Sequence, residues 1–375
     1  MPGALIDLLT ARRPARAVGV FRIGIGLAVL IRGLKTTRDL YWLGHDPSVV
    51  PARLYDWAPR LESVPEIAAF TAAWLLASAG LILGVRARLS AGILCAMSIG
   101  LHVVDQNYWA HHVYFMTLML LLLTIVDSDA SLSLRWRREG RPERDVPWWP
   151  VWLVQVQLSM AYLYTAVAKL NPAFLDGAVL QGAMGLPSES AWLAQWMVWP
   201  ALAAEFFIGV ALWVPALRPW AFLAGFGLHG LVPVFMGPYA GLVVFTMLVW
   251  SVYVLFLDAA PASRLVVWDD TCSFCRGWVT WLRRLDWLRV HRFEGSSRPE
   301  ALVEAGVTSE EANEEIKLRV GARTLGGFAA IGAILEMLPL GFLWARALRL
   351  PPINWLGATV YRRVARQRHC LLPPR

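Results

Sequence analysis

Two kinds of residue in this chain could do chemistry. The first is a pair of cysteines, Cys272 and Cys275, separated by Ser273-Phe274. A Cys-x-x-Cys pair at the start of a helix places two sulfurs within one turn, the spacing used for thiol–disulfide exchange. The second is a small set of ionisable side chains set into apolar runs: Arg22, His102, Asp105, His111, His112, Lys169, Glu205 and His229. Such groups are costly inside a membrane, so each is a functional-site hypothesis by default.

Lys169 ends the run Tyr162-Leu163-Tyr164-Thr165-Ala166-Val167-Ala168 and precedes Leu170-Asn171. The plain reading is an interfacial amine that snorkels to the headgroups. The functional reading is a base, which needs a neutral amine; desolvation supplies one by lowering a lysine pKa several units from about 10.4. His111 and His112 are adjacent, so on a helix they point about 100° apart. No third ligand has suitable spacing, and no metal site is expected there. His102 and His229 read first as hydrogen-bonded core residues, and charge alone suggests an Arg22–Glu205 ion pair.

The elements that must hold these groups follow from composition. Of 375 residues 57% are hydrophobic and 17% charged, whereas a soluble domain carries about a quarter charged. Apolar runs long enough to cross a bilayer as helices recur up to residue 257. The predicted spans are 17–33, 66–84, 89–106, 111–127, 149–169, 197–215, 219–236 and 239–257. The expected fold is therefore an all-α polytopic membrane bundle of about eight transmembrane helices, residues 1–257. A boundary near 258–264 then leads into a small α/β thioredoxin-like domain, residues 264–375. Many of the twenty Trp residues, including Trp42, Trp109, Trp148, Trp149, Trp192, Trp196, Trp199 and Trp220, sit near the ends of runs, as an interfacial belt requires.

The net charge of +8 is read as topology and anionic lipid rather than nucleic acid, because the basic residues cluster between spans. Arg12, Arg13 and Arg16, then Arg86 and Arg88, then Arg135 to Arg144, then Arg218 fall on one side, taken as the cytosol. Segments 107–110, 170–196 and 237–238 contain no Lys or Arg. The loop 34–65 carries Lys35, Arg38, Arg53 and Arg60 yet faces outside on this assignment. Both termini are then cytosolic, in a cell membrane of bacterial inner-membrane type. The first apolar run contains Arg22 and lacks a small-x-small cleavage site, so it reads as a retained span rather than a signal peptide. Cys95 reads as a packing residue.

In the last segment, 264–268 reads as a buried strand leading into Asp269-Asp270-Thr271-Cys272 and an amphipathic helix to Asp286. Strands at 288–293 and 315–320 and helices near 327–338, 341–348 and 353–366 complete an α/β pattern. A strand that delivers Cys-x-x-Cys to a helix N-terminus is the thioredoxin-like redox arrangement; the helix end favours a thiolate, making Cys272 the nucleophile and Cys275 the resolving thiol. The rival reading is half a zinc site, for which His369-Cys370 would supply the second pair.

With these residues in view, the first part of the chain resembles the horizontally transferred transmembrane (HTTM) superfamily, which includes vitamin K-dependent γ-glutamyl carboxylase. The resemblance rests on Ala166-Val167-Ala168-Lys169-Leu170-Asn171, Phe174 and Asp176-Gly177, with Phe21-Arg22-Ile23, His112-Val113-Tyr114 and His229 in support, over about residues 15–257. It implies Lys169 as the base that deprotonates a vitamin K-like hydroquinone and His112 as a hydrogen-bonding partner in the quinol chemistry. It also makes His229 and Asp105 candidate substrate-binding groups, and points to a glutamate-containing peptide and carbon dioxide as reactants. No segment corresponds to the carboxylase's large lumenal domain. The last part, about 264–372, resembles the DCC family of predicted thiol-disulfide oxidoreductases. Asp269, Cys272 and Cys275 match its Asp-Gly-x-Cys-x-x-Cys opening, with Asp270 in place of Gly, and Tyr361, Arg366 and Arg368 resemble its closing segment. Asp269 becomes a candidate substrate-binding residue.

The expected function is a membrane redox enzyme with a quinol as cofactor, membrane lipid around it, and a peptide or protein substrate and a thiol redox partner. The rival is a non-enzymatic scaffold or maturation partner whose thiol domain senses or docks another protein. A transporter is disfavoured because no internal repeat and no matched pair of broken spans occurs.

Overall fold

The computed structural model describes residues 6–7, 9–45, 63–139, 143–237, 240–257, 263–338 and 347–371, with isolated positions between these stretches. The chain divides into two compact units, Met1–Leu257 and Asp258–Arg375.

The first unit is helical. Its principal helices are α1 (Arg16–His45), α2 (Val64–Leu83), α3 (Ala87–Val104), α4 (His111–Leu123), α5 (Trp149–Ala168), α6 (Ala191–Ala211), α7 (Arg218–Phe235) and α8 (Ala240–Tyr253). They overlap the eight predicted spans, but only α1, α2, α3, α5 and α6 are both long and apolar enough to cross a membrane. The remaining three explain the smaller number. The 13 residues of α4 rise only about 20 Å, short of a hydrocarbon core of about 30 Å. The 14 residues of α8 are similarly short, and its predicted start at 239 lies outside the described residues. Helix α7 has 18 residues, with Pro219 at its start and Pro233 inside it.

The first predicted span, 17–33, is too short. Helix α1 continues to His45 because its polar extension is internally satisfied: Lys35 and Asp39 pair across one turn at 2.6 Å, Arg32 reaches Asp39 at 3.5 Å, and Thr37 donates to the Gly33 carbonyl. Such i,i+4 pairs support a helix that hydropathy alone would end. Most of the predicted loop beyond residue 45 lies outside the described residues.

Helix α1 is the hub, packed against α2 and α8. Gly33 faces the indole of Trp74, and a Cβ there would lie 2.2 Å from the ring. The glycine lets the helices approach closely, as small residues do in membrane bundles, and Trp74 Nε1 donates to the Val29 carbonyl at 2.9 Å.

One end of the bundle gathers three basic segments. Strand β1 (Arg12–Pro14) pairs antiparallel with β2 (Asp145–Pro147), and Arg16 pairs with Glu143. Arg88 reaches Asp127 at 3.5 Å. Arg22 is fully buried and knits this end together: Nη1 donates to the Ser128 and Ser131 carbonyls, and Nη2 to those of Leu132 and Ile82. Gly84, at φ +67°, leaves room for it, since a Cβ would lie 2.7 Å from Nη1. The expected Arg22–Glu205 ion pair is therefore absent: Arg22 spends its donors on main-chain carbonyls, and Glu205 is engaged elsewhere. Trp148 also departs from the interfacial belt; it is buried, beneath the Arg13 guanidinium at 4.9 Å.

The second unit is an α/β domain. Its sheet has the order β4–β3–β5–β6, from β3 (Arg264–Trp268), β4 (His291–Gly295), β5 (Lys317–Val320) and β6 (Arg323–Gly326). Strands β3 and β4 are parallel; β5 is antiparallel to β3 and to β6. Both faces of β3 are covered, so its four residues 265–268 are all buried despite strand alternation. Val266 and Trp268 pack with Val279 and Leu282 of α9 (Ser273–Leu285) and Ala330 and Ile334 of α12 (Gly327–Leu335). Leu265 and Val267 meet Ala301 and Ala305 of α10 (Pro299–Ala305) and Ala312 of α11 (Ser309–Glu314).

The strand predicted at 288–293 begins later, at 291. Asp286 explains this: its carboxylate accepts the Val290 and His291 amides at 3.0 and 2.8 Å, holding 286–290 as a turn. The short helices α10 and α11 and strand β6 were absent from the sequence expectation, and half of the predicted helix 341–348 lies outside the described residues. The final helix α13 (Pro351–Leu371) is longer than the predicted 353–366. Its Tyr361 hydroxyl accepts the Ile316 amide at 3.0 Å, tying it to the start of β5.

Candidate functional site

Lys169 is the C-cap of α5, and its side chain turns to Glu205 of α6, with which Nζ forms an ion pair. Nζ also lies 5.4 Å from the centre of the Phe174 ring, a cation–π distance. The lysine side chain is 29% exposed and that of Glu205 10%, so the amine is directed into the protein rather than outward. Glu205 Oε1 takes the amine, and Oε2 is buried with no hydrogen-bond partner among the described residues.

This pairing replaces the Arg22–Glu205 contact that charge alone suggested. Helix α6 begins at 191, not 197, and its first turns run past the end of α5. There Ala194 and Val198 pack on Phe174, and Gly177 sits against Gln195. Only lower down, where Gly209 meets Ser159 and Leu163, do α5 and α6 lie side by side.

Beside the ion pair lies a buried hydroxyl–imidazole chain. Tyr162 Oη is 2.6 Å from His229 Nε2 and 2.5 Å from Tyr253 Oη. Tyr162, His229 and Tyr253 are 4%, 5% and 2% exposed. Gly225 makes the room, because a Cβ there would fall 1.8 Å from the Tyr253 hydroxyl. Electrostatic coupling links Lys169 to His229 and Glu205 to Tyr162. Helices α5, α6, α7 and α8 thus contribute one polar cluster to an otherwise apolar interior. Sequence reasoning found Lys169 and His229 but missed the roles of Tyr162 and Tyr253, since a Tyr in an apolar run is indistinguishable from a belt residue.

The other candidates lie apart from this cluster. His112, half-buried, packs its ring on Gly241, where a Cβ would be 2.8 Å away. It is coupled to Arg32 and Lys35, and no contact with Lys169 is present among the described residues. Phe245 is the nearest link: its ring lies 5.3 Å from that of His229 and 6.1 Å from Phe115 of α4. Asp105 is 2% exposed and works on the main chain, accepting the Asn107 amide at 2.7 Å and the Ala52 amide at 3.3 Å. His102 Nδ1 meets the Ser98 carbonyl.

In the α/β unit, Cys272 is the N-cap of α9. Its Sγ accepts the Cys275 amide at 3.2 Å and the Cys275 thiol at 2.7 Å. Cys272 is 1% exposed, and Cys275 is the partly exposed member of the pair. Asp269 is buried and shapes the approach: Oδ1 accepts the Thr271 amide at 3.0 Å and its hydroxyl at 2.6 Å. Asp270, in the place of the family glycine, is directed away from the sulfurs. Its carboxylate takes the Ser296 hydroxyl and the amide and hydroxyl of Ser297. Burial pushes the Asp270 carboxyl up, but these hydrogen bonds outweigh it and hold the group below its ordinary value.

Asp269, Cys272 and Cys275 offer metal-ligand atoms within 4.8 Å of one another. A closed zinc site needs four ligands; these are three, and Asp269 Oδ1 is already engaged by the Thr271 amide and hydroxyl. The side chains of His369 and Cys370, the proposed second half of a zinc site, lie outside the described residues.

An HTTM domain family model matches residues 11–258, and a DCC1-like thiol-disulfide oxidoreductase model matches residues 266–372. No solved structure matches the chain. With the first match covering well over half of its 375 residues, the chain belongs to the HTTM family and carries a DCC1-like thiol-disulfide oxidoreductase domain behind its HTTM domain.

Proposed function

We propose that this protein is a multi-pass membrane redox enzyme whose α/β domain exchanges thiols and disulfides with a partner through Cys272 and Cys275. The observation that carries the reading is Cys272 as the N-cap of α9, its Sγ accepting the amide of Cys275 one turn on. Cys272 Sγ accepts two hydrogen bonds and faces the positive end of a helix dipole, both of which favour negative charge on it. Its thiolate attacks one sulfur of a partner disulfide, forming a mixed disulfide and releasing the other partner sulfur as a thiolate. Cys275, having given up its proton, then attacks the Cys272 sulfur. A Cys272–Cys275 disulfide forms, the second partner thiolate leaves, and two electrons have passed to the partner. Because Cys272 is buried, the side chains over it must move before attack.

Trapping tests the assignment. Cys275→Ser accumulates the mixed disulfide on Cys272, detected by mass spectrometry after incubation with a disulfide substrate. Accumulation instead in Cys272→Ser would reassign the nucleophile to the more accessible sulfur. No adduct in either variant would favour a docking scaffold.

For the helical domain we propose a quinol site beside Lys169. The fit rests on Glu205 Oε2, a buried acceptor without a partner among the described residues, next to the Tyr162–His229–Tyr253 chain. A bound quinol would supply two electrons and two protons. Glu205 holds and orients the Lys169 amine, and Tyr162 and His229 hold a hydroxyl–imidazole path along which a proton can move. His112, packed on Gly241, stands apart from Lys169 and is not part of this proton path. Loss of quinol oxidation in Lys169→Ala with retained quinone binding supports the base; unchanged turnover removes it. Whether carbon dioxide and a glutamate peptide take part is tested by labelled carbon dioxide incorporation in the same assay.

We place both termini on the cytosolic side of a bacterial inner membrane, which requires all eight helices, the three shorter ones included, to cross it. Support comes from the gathering of three Arg-bearing segments, around residues 12–16, 86–88 and 143–147, at one end of the bundle.

A further inference from the structure

The α/β domain is electrically two-faced, and its basic face is also greasy. Helices α9 and α13 contact each other on one side of the sheet, where α13 also packs on α12 and Gly357 lies against the Phe328 ring. Neither helix contains an Asp or Glu. On α9, Arg276, Arg283 and Arg284 are exposed; on α13, Arg362, Arg363 and Arg366 are exposed. The opposite side carries α10 and α11, whose Glu300, Glu304, Glu310, Glu311 and Glu314 are all exposed.

Apolar side chains are exposed on that same basic side. Phe274, Trp278 and Trp281 recur at helical spacing along α9 and line a shallow groove with Gly277. Trp278 and Trp281 remain 52% and 47% exposed. The first half of α13 exposes Trp355 at 69% and Leu356 at 58%, with Ile353 and Val360 beside them. Exposed large apolar groups ringed by arginine are the signature of helices that lie in a membrane interface, where rings and aliphatic chains enter the acyl boundary and arginines meet anionic headgroups. Tryptophan in particular favours the headgroup layer. Residues 258–263 supply a tether of six residues after the HTTM helices, spanning at most about 20 Å when extended.

We propose that the α9–α13 face of the thiol domain is a peripheral docking surface for an anionic phospholipid bilayer. Phe274 lies between the two cysteines, so docking sets Cys275 at the lipid boundary and restricts exchange to partners whose cysteines reach the membrane surface. A docked protein would satisfy the apolar side chains as well, but the choice of lipid follows from charge: six exposed arginines and no carboxylate on two helices match a surface that is uniformly anionic. The inference does not depend on thiol exchange.

The test uses the full chain reconstituted in phosphatidylcholine vesicles, with and without phosphatidylglycerol, in a background where Cys95, Cys272, Cys275 and Cys370 are replaced by Ser. An environment-sensitive fluorophore is attached at Leu356→Cys or, on the acidic side, at Val303→Cys. Nitroxide-bearing lipid is expected to quench the label at 356 several-fold more than at 303. The difference should grow with phosphatidylglycerol and shrink when salt shortens the screening length from about 10 Å at 0.1 M to about 3 Å at 1 M. The triple variant Arg362→Glu, Arg363→Glu, Arg366→Glu should erase it. If aqueous iodide quenches 356 and 303 equally in both vesicles, the face is solvent-exposed and the proposal fails. It fails equally if 356 is shielded from lipid nitroxide and iodide alike, which assigns the face to a protein contact.

Discussion

Arg22 and Lys169 are both cations set into the HTTM helices, and their surroundings differ in kind. Arg22 lies in a socket of main-chain carbonyls from four residues, near the end of the bundle where β1 meets β2. Its guanidinium acts as a structural clasp between α1, the end of α2 and the segment after α4. Lys169, at the far end of α5, meets one carboxylate, and the second oxygen of that carboxylate has no partner among the described residues. Arg22 leaves only Nε unpaired, and its Nη bonds tie α1 to α2 and to the segment after α4, which is a structural task; Glu205 Oε2 is an open acceptor beside a charge and leaves something for a ligand to bind. The cost of a membrane-embedded charge is shared by both, so cost alone does not separate them.

The comparison breaks most visibly at Arg22. Arg22→Met strips donors from the Ser128 and Leu132 carbonyls, and each unpaired buried group costs about 1–3 kcal/mol. A loss of about 3 kcal/mol or more is expected in detergent unfolding. Arg22→Lys should rescue little, because an ammonium lacks the planar fork that reaches several carbonyls. Wild-type stability in Arg22→Met would show the socket to be dispensable.

The ion pair should behave differently. Lys169→Met and Glu205→Leu each strand a partner, whereas the double variant removes both charges. The double variant is expected to be more stable than the sum of the singles, with a coupling of about 1–3 kcal/mol in a double-mutant cycle, while quinol turnover stays lost. Additive stabilities would mean that the two groups do not interact, and retained turnover would remove the proposed base.

Acid sensitivity separates the units on a smaller scale. In the thiol domain, burial raises the Asp286 carboxyl, but hydrogen bonds from the His291 ring and from the His291 and Val290 amides prevail and hold it below its ordinary value. A depressed folded pKa contributes stability above the unfolded value, about pH 4, and that contribution is lost as pH falls through the folded value. Opening of the β4 start below about pH 4, followed by amide exchange, should therefore weaken in Asp286→Asn. Asp270 follows the same sign with a smaller effect, since it is more exposed, and Asp270→Gly should flatten that share of the acid response. Unchanged pH profiles in both variants would mean that these carboxylates do not set the domain's acid limit.

Much of the architecture was legible before any coordinates. Hydropathy located every long helix of the first unit, because a membrane imposes apolar length directly on sequence. It misjudged ends: α1 runs on through Lys35–Asp39, where ion pairs rather than apolar residues sustain the helix. In the thiol domain β3 was readable from Leu265-Val266-Val267-Trp268, but β6 and α11 were not. Arg323-Thr-Leu-Gly326 and Ser309–Glu314 are too short for periodicity to show. The dithiol was legible from spacing, whereas the burial of Cys272 was not.

Sequence by itself determined the apolar helical unit, the thiol domain behind it, and the identity of the ionisable groups, since each depends on residue type and local spacing. Tertiary structure alone decided their partners: Arg22 with carbonyls rather than Glu205, Glu205 with Lys169, Tyr162 with His229 and Tyr253, Asp270 with Ser296 and Ser297. The reason is geometric. Which side chains meet depends on helix offsets of a few ångströms, and those offsets are set by packing at positions such as Gly177, Gly209 and Gly225, distant in sequence from the groups they bring together.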